Sequence, residues 1–549
     1  MAIGLLESKK NPHPPGTVLL ADNASGIENT EAVISQRLKH GTGKNAHIVL
    51  VPQPSYDPND PLERALFLDT LAEKEPIYPK LTITKNWSIW SFLVTIAFNL
   101  VVKYNKSFTA VSLLTGYQLL TVAFCGFLVS LATKIFGKRP VLILCSMIGL
   151  AGSIWLIYAD TYSSTLGARI LQSVGVSFYE GVGFGLIADL YFVHERGARI
   201  GAFLFPLGAF NVMCPLLSGV VAKNLGIPRM FKHNAIFAGI ASAIIILFIP
   251  ETAYKRDSIY NIDVTSIEHL GELAAKEAEA GGEKEPEQIE TVAGQQTQPV
   301  LPVVPDKKTY LQMLKPWSGI RREEITIRTF FGPLKHVINP AVLWSFLTQG
   351  AISVWTVAVS FLLAQIFAVP PYNYNPAQVG YLYGGAMVGG LLAEIFCILL
   401  NDKAAKILAR RNGGVYEPEF QLWIIVPKLI TGVIGFFGFG SSIVAGKGPI
   451  VASMFYGFIT ASLIFSHVAS GSYMTDAFRN DSVEIFIDVM VFKNILSYVF
   501  SLFINDWVTK DGPTRVFNIL WALQIVIAFL SIPLYVFGKK NRAWIHSQN

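Results

Sequence analysis

Apolar runs, most of them free of charge, recur along most of the chain between short polar connections; the fourth, eighth, ninth and eleventh carry charged residues. The first six fall at Asn86–Val102, Ser107–Thr133, Pro140–Ala159, Ala168–Tyr191, Ile200–Ala222 and Asn234–Pro250. A long polar segment, Glu251–Val337, follows. Ile338–Ala393 then carries no charge, but the prolines and asparagines of 370–376 break it, so two helices fit best, Ala341–Phe367 and Ala377–Leu400. Four more runs complete the pattern: Gln421–Ile443, Gly448–Thr475, Val483–Ile504 and Val516–Gly538. Lipid offers the backbone no hydrogen-bond partner, so runs of this length are helices. The pattern predicts an all-α polytopic membrane protein of twelve transmembrane helices in two six-helix halves.

Composition agrees. Apolar residues make up 52% of the 549 and charged residues only 15%, where a soluble domain carries roughly 25%. The net charge of +6 sits in clusters between the runs, which favours membrane topology over a nucleic-acid partner. With the N-terminus inside, the interior loops and C-terminal end hold thirteen Lys and Arg against eight outside. Both termini and the central loop are therefore expected in the cytoplasm. The expected organisation is a tail over 1–85, a membrane half over 86–250, a central loop over 251–337, a second half over 338–538 and a tail over 539–549. Within the loop, Thr265–Ala280 reads as an acidic amphipathic helix and 306–336 as a basic stretch. The four cysteines lie in apolar runs without metal-ligand spacing. Gly43-Lys44 is followed by Asn45 and lacks the rest of a phosphate-binding loop, so transport would run on gradients rather than on nucleotide hydrolysis.

Several motifs add chemistry. Between runs two and three stands Lys134-Ile135-Phe136-Gly137-Lys138-Arg139-Pro140. Run four carries Arg169, Gln172 and Gly175, then Tyr179-Glu180 and Asp189 through Arg196-Gly197. Cys214-Pro215-Leu216-Leu217-Ser218-Gly219, Pro250-Glu251-Thr252, Ala409 through Glu419 and Val491-Phe492-Lys493-Asn494 follow. Together they span 86–540 and resemble the major facilitator superfamily, in a fungal branch related to drug:proton antiporters and to histidinol and polyamine carriers. That resemblance implies alternating access by two rocking halves. It also implies a gating role for the turn of Gly137, Lys138 and Arg139, which would meet carboxylates such as Asp189, Glu195, Asp402, Asp476 and Glu484 when the inner gate closes. Arg196, Arg410 and Arg411 would act on the same side. Two departures stand out. Lys134 occupies the place of the family's aspartate. Run one is also short: the sixteen residues Trp87–Val102 reach about 24 Å, against a hydrocarbon core of roughly 30 Å. Either helix one is truncated or residues are missing from the gene model.

In this fold helices one, four, seven and ten face the cavity. Glu180 on helix four is then a candidate proton carrier or cation-binding group, or else one end of an interhelical hydrogen bond. Arg169 and Gln172 accompany it, with Arg169 either facing the cavity or snorkelling. Glu394 is a second candidate carboxylate, or a gate partner for Lys403 or Lys406. Lys493 is positioned to pair with Glu180 or Glu394. Trp344, Trp355, Phe455, Tyr456, Phe458 and Tyr473 would line an apolar pocket or pack the core. The reading is a proton-coupled secondary transporter, not an enzyme, exporting a small organic molecule such as a drug or secondary metabolite. The alternatives are uptake of organic cations such as polyamines, and a transport-dead sensor or scaffold. Its partners would be the substrate, protons and the bilayer, with no cofactor, metal or nucleic acid. It is expected in the plasma membrane as a monomer. Asn105-Lys106-Ser107 is a glycosylation sequon on the expected outer side, while Asn23, Asn86 and Asn480 begin sequons on the inner one.

Overall fold

The computed structural model describes residues 5–6, 18–19, 95–190, 213–249, 251, 312, 314–315, 317, 319, 333–412, 415–478 and 481–546. Six helices belong to the first half: α1 (Ala97–Tyr104), α2 (Phe108–Phe136), α3 (Lys138–Ile157), α4 (Tyr162–Leu190), α5 (Met213–Leu225) and α6 (Ile227–Phe248). Six belong to the second: α7 (Pro340–Phe367), α8 (Pro376–Arg411), α9 (Pro418–Val444), α10 (Pro449–Ala477), α11 (Ser482–Ser501) and α12 (Pro513–Ile545). Among the described residues, eight are long and apolar enough to cross a membrane, and nine if α11 is joined to its continuation Ile504–Asp511, bent from it by 47°. Residues 86–94 of the first apolar run, the stretch 265–280 expected as an amphipathic helix, Arg196 and the sequons at Asn23, Asn86 and Asn480 lie outside the described residues.

The helices begin and end where local chemistry says they should. Gly137 joins α2 to α3 at φ +92°, a conformation that costs other residues steric strain, so the turn needs a glycine. Ser107 caps α2, accepting from Ala110 N at 3.1 Å. Asn375 and Gln378 form a reciprocal capping box at the start of α8. Two helices run past their apolar stretches. α8 continues from Leu400 to Arg411 as a charged helix, and α12 passes through Gly538 into the segment expected as a tail. That extension is docked by ion pairs rather than by hydrophobicity.

Inside lipid, helices associate through close packing of small residues. α8 and α10 cross at Gly389 and Gly457, where a Cβ on Gly389 would lie 2.1 Å from Gly457 O. α7 is the inner helix of its half: 78% of its apolar stretch is buried, against 28–50% in the other spanning helices. Its helical hydrogen bonding switches to a π turn at Phe346–Gly350, an irregularity that in helices frequently marks functional sites.

The first half meets the second chiefly where α2 and α4 pack against α11. One face of α11 makes the seam. Ile487 and Met490 pack with Val122 and Val176, Ser501 lies against Gly116, and Asn505 just beyond donates to Ser112 at 2.8 Å. A short two-stranded sheet joins β1 (Val18–Leu19) antiparallel to β2 (Val415–Tyr416), placing the chain's beginning under the second half. Leu5 is buried there with Ala409 and Phe420, and Leu6 N donates to Val536 O at 3.1 Å.

Candidate functional site

The centre of the α4–α11 seam holds opposite charges from opposite halves. Lys493 Nζ donates to Glu180 Oε1, and Asn494 Nδ2 donates to Glu180 Oε2 at 3.3 Å. Both charged side chains keep about a fifth of their surface accessible, 19% for Lys493 and 22% for Glu180, although they sit mid-helix. The pair is therefore not sealed into a core. α7 packs beside it: a Cβ on Gly350, in the π turn, would lie 3.8 Å from Lys493 Cβ. One turn on, Ser353 Oγ donates to Gln349 O at 2.7 Å and lies 3.0 Å from His467 Nε2 of α10. The buried Gln349 Oε1 and Asn494 Oδ1 have no hydrogen-bond partner among the described residues. Glu180, Lys493, Ser353 and His467 thus come from α4, α11, α7 and α10. Of the two partners open to Lys493 in sequence, Glu180 is the one it meets. Glu394 is half-buried on α8 and has no ion pair among the described residues.

At the end of the bundle carrying the basic turn, a second pair crosses the seam. Lys134 Nζ, at the end of α2, lies 2.6 Å from Glu484 Oε1 in the first turn of α11. His336, just before α7, approaches Glu484 at 3.7 Å and Asp481 at 3.9 Å. The close Glu484 carboxylate, with the neighbouring Asp481 and Asp488 charges, holds the His336 imidazolium pKa above its usual 6.5, despite burial. The lysine in place of the family's aspartate is therefore matched by an acid on the facing helix.

Gly137, Lys138 and Arg139 form the tight turn, and the hydrogen bonds of Lys138 and Arg139 to other described residues reach α6 and the central loop. Their backbone N–H groups, at the positive start of α3, hold the Glu251 carboxylate at 3.0–3.3 Å. Arg139 Nη2 donates to Ile246 O and Leu314 O, both at 2.9 Å. Of the carboxylates expected opposite this turn, Glu484 instead serves Lys134, and Asp476 accepts from Tyr416 Oη at 2.5 Å. The side chains of Asp189 and Asp402, and all of Glu195 and Arg196, lie outside the described residues. Arg410 and Arg411 are exposed at the end of α8, with no ion-pair partner among the described residues.

Arg169 is buried and bonds Gln172 Oε1 at 3.3 Å, while Gln172 Nε2 reaches Ser153 Oγ of α3 at 3.1 Å. These two residues tie α3 to α4 inside one half. The large aromatics resolve toward packing. Trp344 donates to Ser531 at 2.8 Å and meets Tyr473 edge-on, and Trp355 meets Phe436 edge-on. Asn105 is exposed in the α1–α2 connection, at φ +49°.

Matched against known families, residues 82–490 fit the Major Facilitator Superfamily profile. The chain belongs to this superfamily. Its members are membrane transporters, so the chain is a multi-pass secondary transporter and not an enzyme. It is 25% identical to an uncharacterized MFS-type transporter, C1271.10c, of Schizosaccharomyces pombe, over 97% of this chain and 93% of that one. Protein HOL1 of Saccharomyces cerevisiae is 22% identical, over 97% and 96%. Multidrug transporter AQR1 of Candida glabrata is 25% identical over 54% of this chain and 46% of its own. The crystal structure of a D-xylose-proton symporter shares the fold, with a TM-score of 0.55 at 16% identity, covering 85% of this chain and 98% of that one.

Sequence reasoning passed over three groups of residues in this major facilitator chain. His467 and Ser353 are isolated polar residues in apolar helices, and nothing local says that they face each other. His336 sits in a basic stretch that reads as a tether. Glu417 and Glu419 were visible only as part of a motif, yet Arg542 meets both at 2.8 Å and Lys539 meets Glu417 at 2.7 Å, all four being almost fully buried.

Proposed function

We propose that the chain is a proton-coupled antiporter of the plasma membrane, working as a monomer with both termini in the cytoplasm. It exports a small organic molecule, with Glu180 as the proton site. The observation that carries this reading is the Glu180–Lys493 pair, drawn from opposite halves and partly accessible in the middle of its helices. A carboxylate there is ionised while Lys493 holds it, and a proton arriving on it cancels the attraction across the seam. At 4 Å such an attraction amounts to about 4 kcal/mol at an effective dielectric of 20, and about 1.4 kcal/mol already changes a two-state balance tenfold. Proton binding therefore has enough leverage to bias the halves. The likeness to a multidrug transporter supports a lipophilic or amphipathic cargo. A permanently cationic cargo would first have to displace Lys493, so the pair favours export coupled to protons over a preset cation-uptake site. Gating falls to Lys134, Glu484 and the basic turn, and Asn105 on the outer side is the glycosylation site.

In proteoliposomes, Glu180→Gln should abolish flux driven by a pH gradient while leaving gradient-free substrate exchange largely intact. Undiminished gradient-driven flux would remove Glu180 from the role, and absence of any flux in the unmodified chain would favour a sensor or scaffold.

A further inference from the structure

A proton on Glu180 creates a second problem at the same site: Lys493 is left as a charged ammonium, mid-helix, without its partner. An unpaired buried charge is far more costly than a neutral unpaired group. The answer lies on the far side of Lys493. A serine hydroxyl has one proton to give. Ser353 gives its proton to Gln349 O at 2.7 Å. At 3.0 Å, His467 Nε2 must then be the donor to Ser353 Oγ. That fixes the ring as the Nε2–H tautomer and leaves Nδ1 as a lone-pair acceptor. Nδ1 has no hydrogen-bond partner among the described residues, and the side chain is only half-buried. Among the described residues, the charged group whose field reaches this ring is Lys493 on α11, which is paired with Glu180 of α4. Asp488 lies further along α11 toward His336, and α7 contributes Gln349 and Ser353. Since Lys493 Cβ packs against Gly350, one turn from the Ser353 that meets His467, the Lys493 side chain and the His467 ring approach the same turn of α7.

We infer that His467 is the standby partner of Lys493: when Glu180 takes a proton, the Lys493 ammonium swings to His467 Nδ1. The inference rests on Glu180 being the group that is protonated during transport. The proton from solution stays on Glu180, Lys493 stays charged throughout, and the imidazole stays neutral, so only hydrogen bonds are exchanged. Asn494 Oδ1 and Gln349 Oε1, unpartnered beside the path, add neutral acceptors along it. His467 is thus a positioning residue, holding the released cation within the site so that it returns when the proton leaves.

Nitrogen-15 NMR of the full-length chain, labelled at histidine and held in lipid nanodiscs, tests this directly. The His467 signals are assigned by their loss in His467→Gln. In the unmodified chain Nδ1 should resonate as an unprotonated nitrogen and Nε2 as a protonated one. Glu180→Gln mimics the protonated acid and should move Nδ1 upfield, the direction of a lone pair receiving a hydrogen bond, with Nε2 little changed. Adding Lys493→Met should reverse that movement. Glu180→Met, of similar volume, gives a second neutral variant should the amide disturb folding. A protonated Nδ1 in the unmodified chain, or an Nδ1 unmoved in both neutral variants, would overturn the inference. These signals report the exchange itself, whereas gradient-driven flux reports whether Glu180 is the proton site, so the two readings fail separately.

Discussion

Arg542 shows how much one side chain carries. It is almost fully buried and faces two carboxylates, Glu417 and Glu419, with Lys539 as the fourth member. Two acids and two bases make the cluster neutral, which is the condition under which burying charge is tolerated. Removing one member breaks that balance. Arg542→Ala should destabilise the second half by about 3–5 kcal/mol, read as earlier thermal unfolding in detergent. Replacing Arg542 and Glu419 together by apolar and neutral residues of similar volume should cost much less, because the remaining Glu417–Lys539 pair is again neutral. Equal losses in the single and double variants would show that the cluster acts through packing alone.

Among the elements, α11 organises the contact between halves. Its seam face runs from Glu484 through Ile487, Met490 and Asn494 to Ser501, steps of three, four and seven residues that keep one side of the helix toward α2 and α4. The latch at its first turn is open to reversal of sign. Lys134→Glu should loosen the basic-turn end, and adding Glu484→Lys should restore it. The pair is about one-third exposed, so the single change should be worth about 1 kcal/mol, or several-fold in the balance of states. Cysteine labelling from that end would measure it, and a double variant as open as the single one would rule out the pairing. His336 adds a pH dependence of definite sign. Its value is raised by Glu484 and the nearby aspartates, so its contribution is full below the ordinary 6.5 and fades as pH rises through the raised value. Labelling at the basic-turn end should therefore increase with pH over that window, and His336→Gln should flatten the increase.

Over the whole molecule, the helix order was legible in sequence because lipid enforces it: apolar runs of spanning length have few structures open to them. Helix ends were less so. α12 continues beyond Gly538 because Lys539 and Arg542 find buried acids, which no hydropathy pattern encodes. At the candidate site, Glu180 and Lys493 stood out individually, since charge in a span is costly enough to need a reason. Sequence left Lys493 two partners, Glu180 and Glu394; the choice is made by the packing of α4 against α11, which brings together residues 313 positions apart. Arg139 adds contacts that its residue type alone did not suggest: its backbone holds Glu251 and its guanidinium donates to Ile246 O and Leu314 O.

The pairing of Val18–Leu19 with Val415–Tyr416 makes the polypeptide a closed circuit. The first half is tethered to the second twice, by the central loop and by the chain's own beginning. The span from Leu19 to Thr95 has a contour of roughly 250 Å at full extension, many times the thickness of a bilayer. A leash of that contour length is long enough to follow the rocking of one half against the other without braking it. What it supplies is local: Leu5 fills a recess against Ala409 and Phe420, and β1 satisfies backbone groups of the loop ahead of α9. Deleting residues 1–19 should therefore lower the unfolding temperature while leaving the transport rate per folded molecule unchanged. A change in rate without loss of stability would mean that the leash is taut and steers the motion.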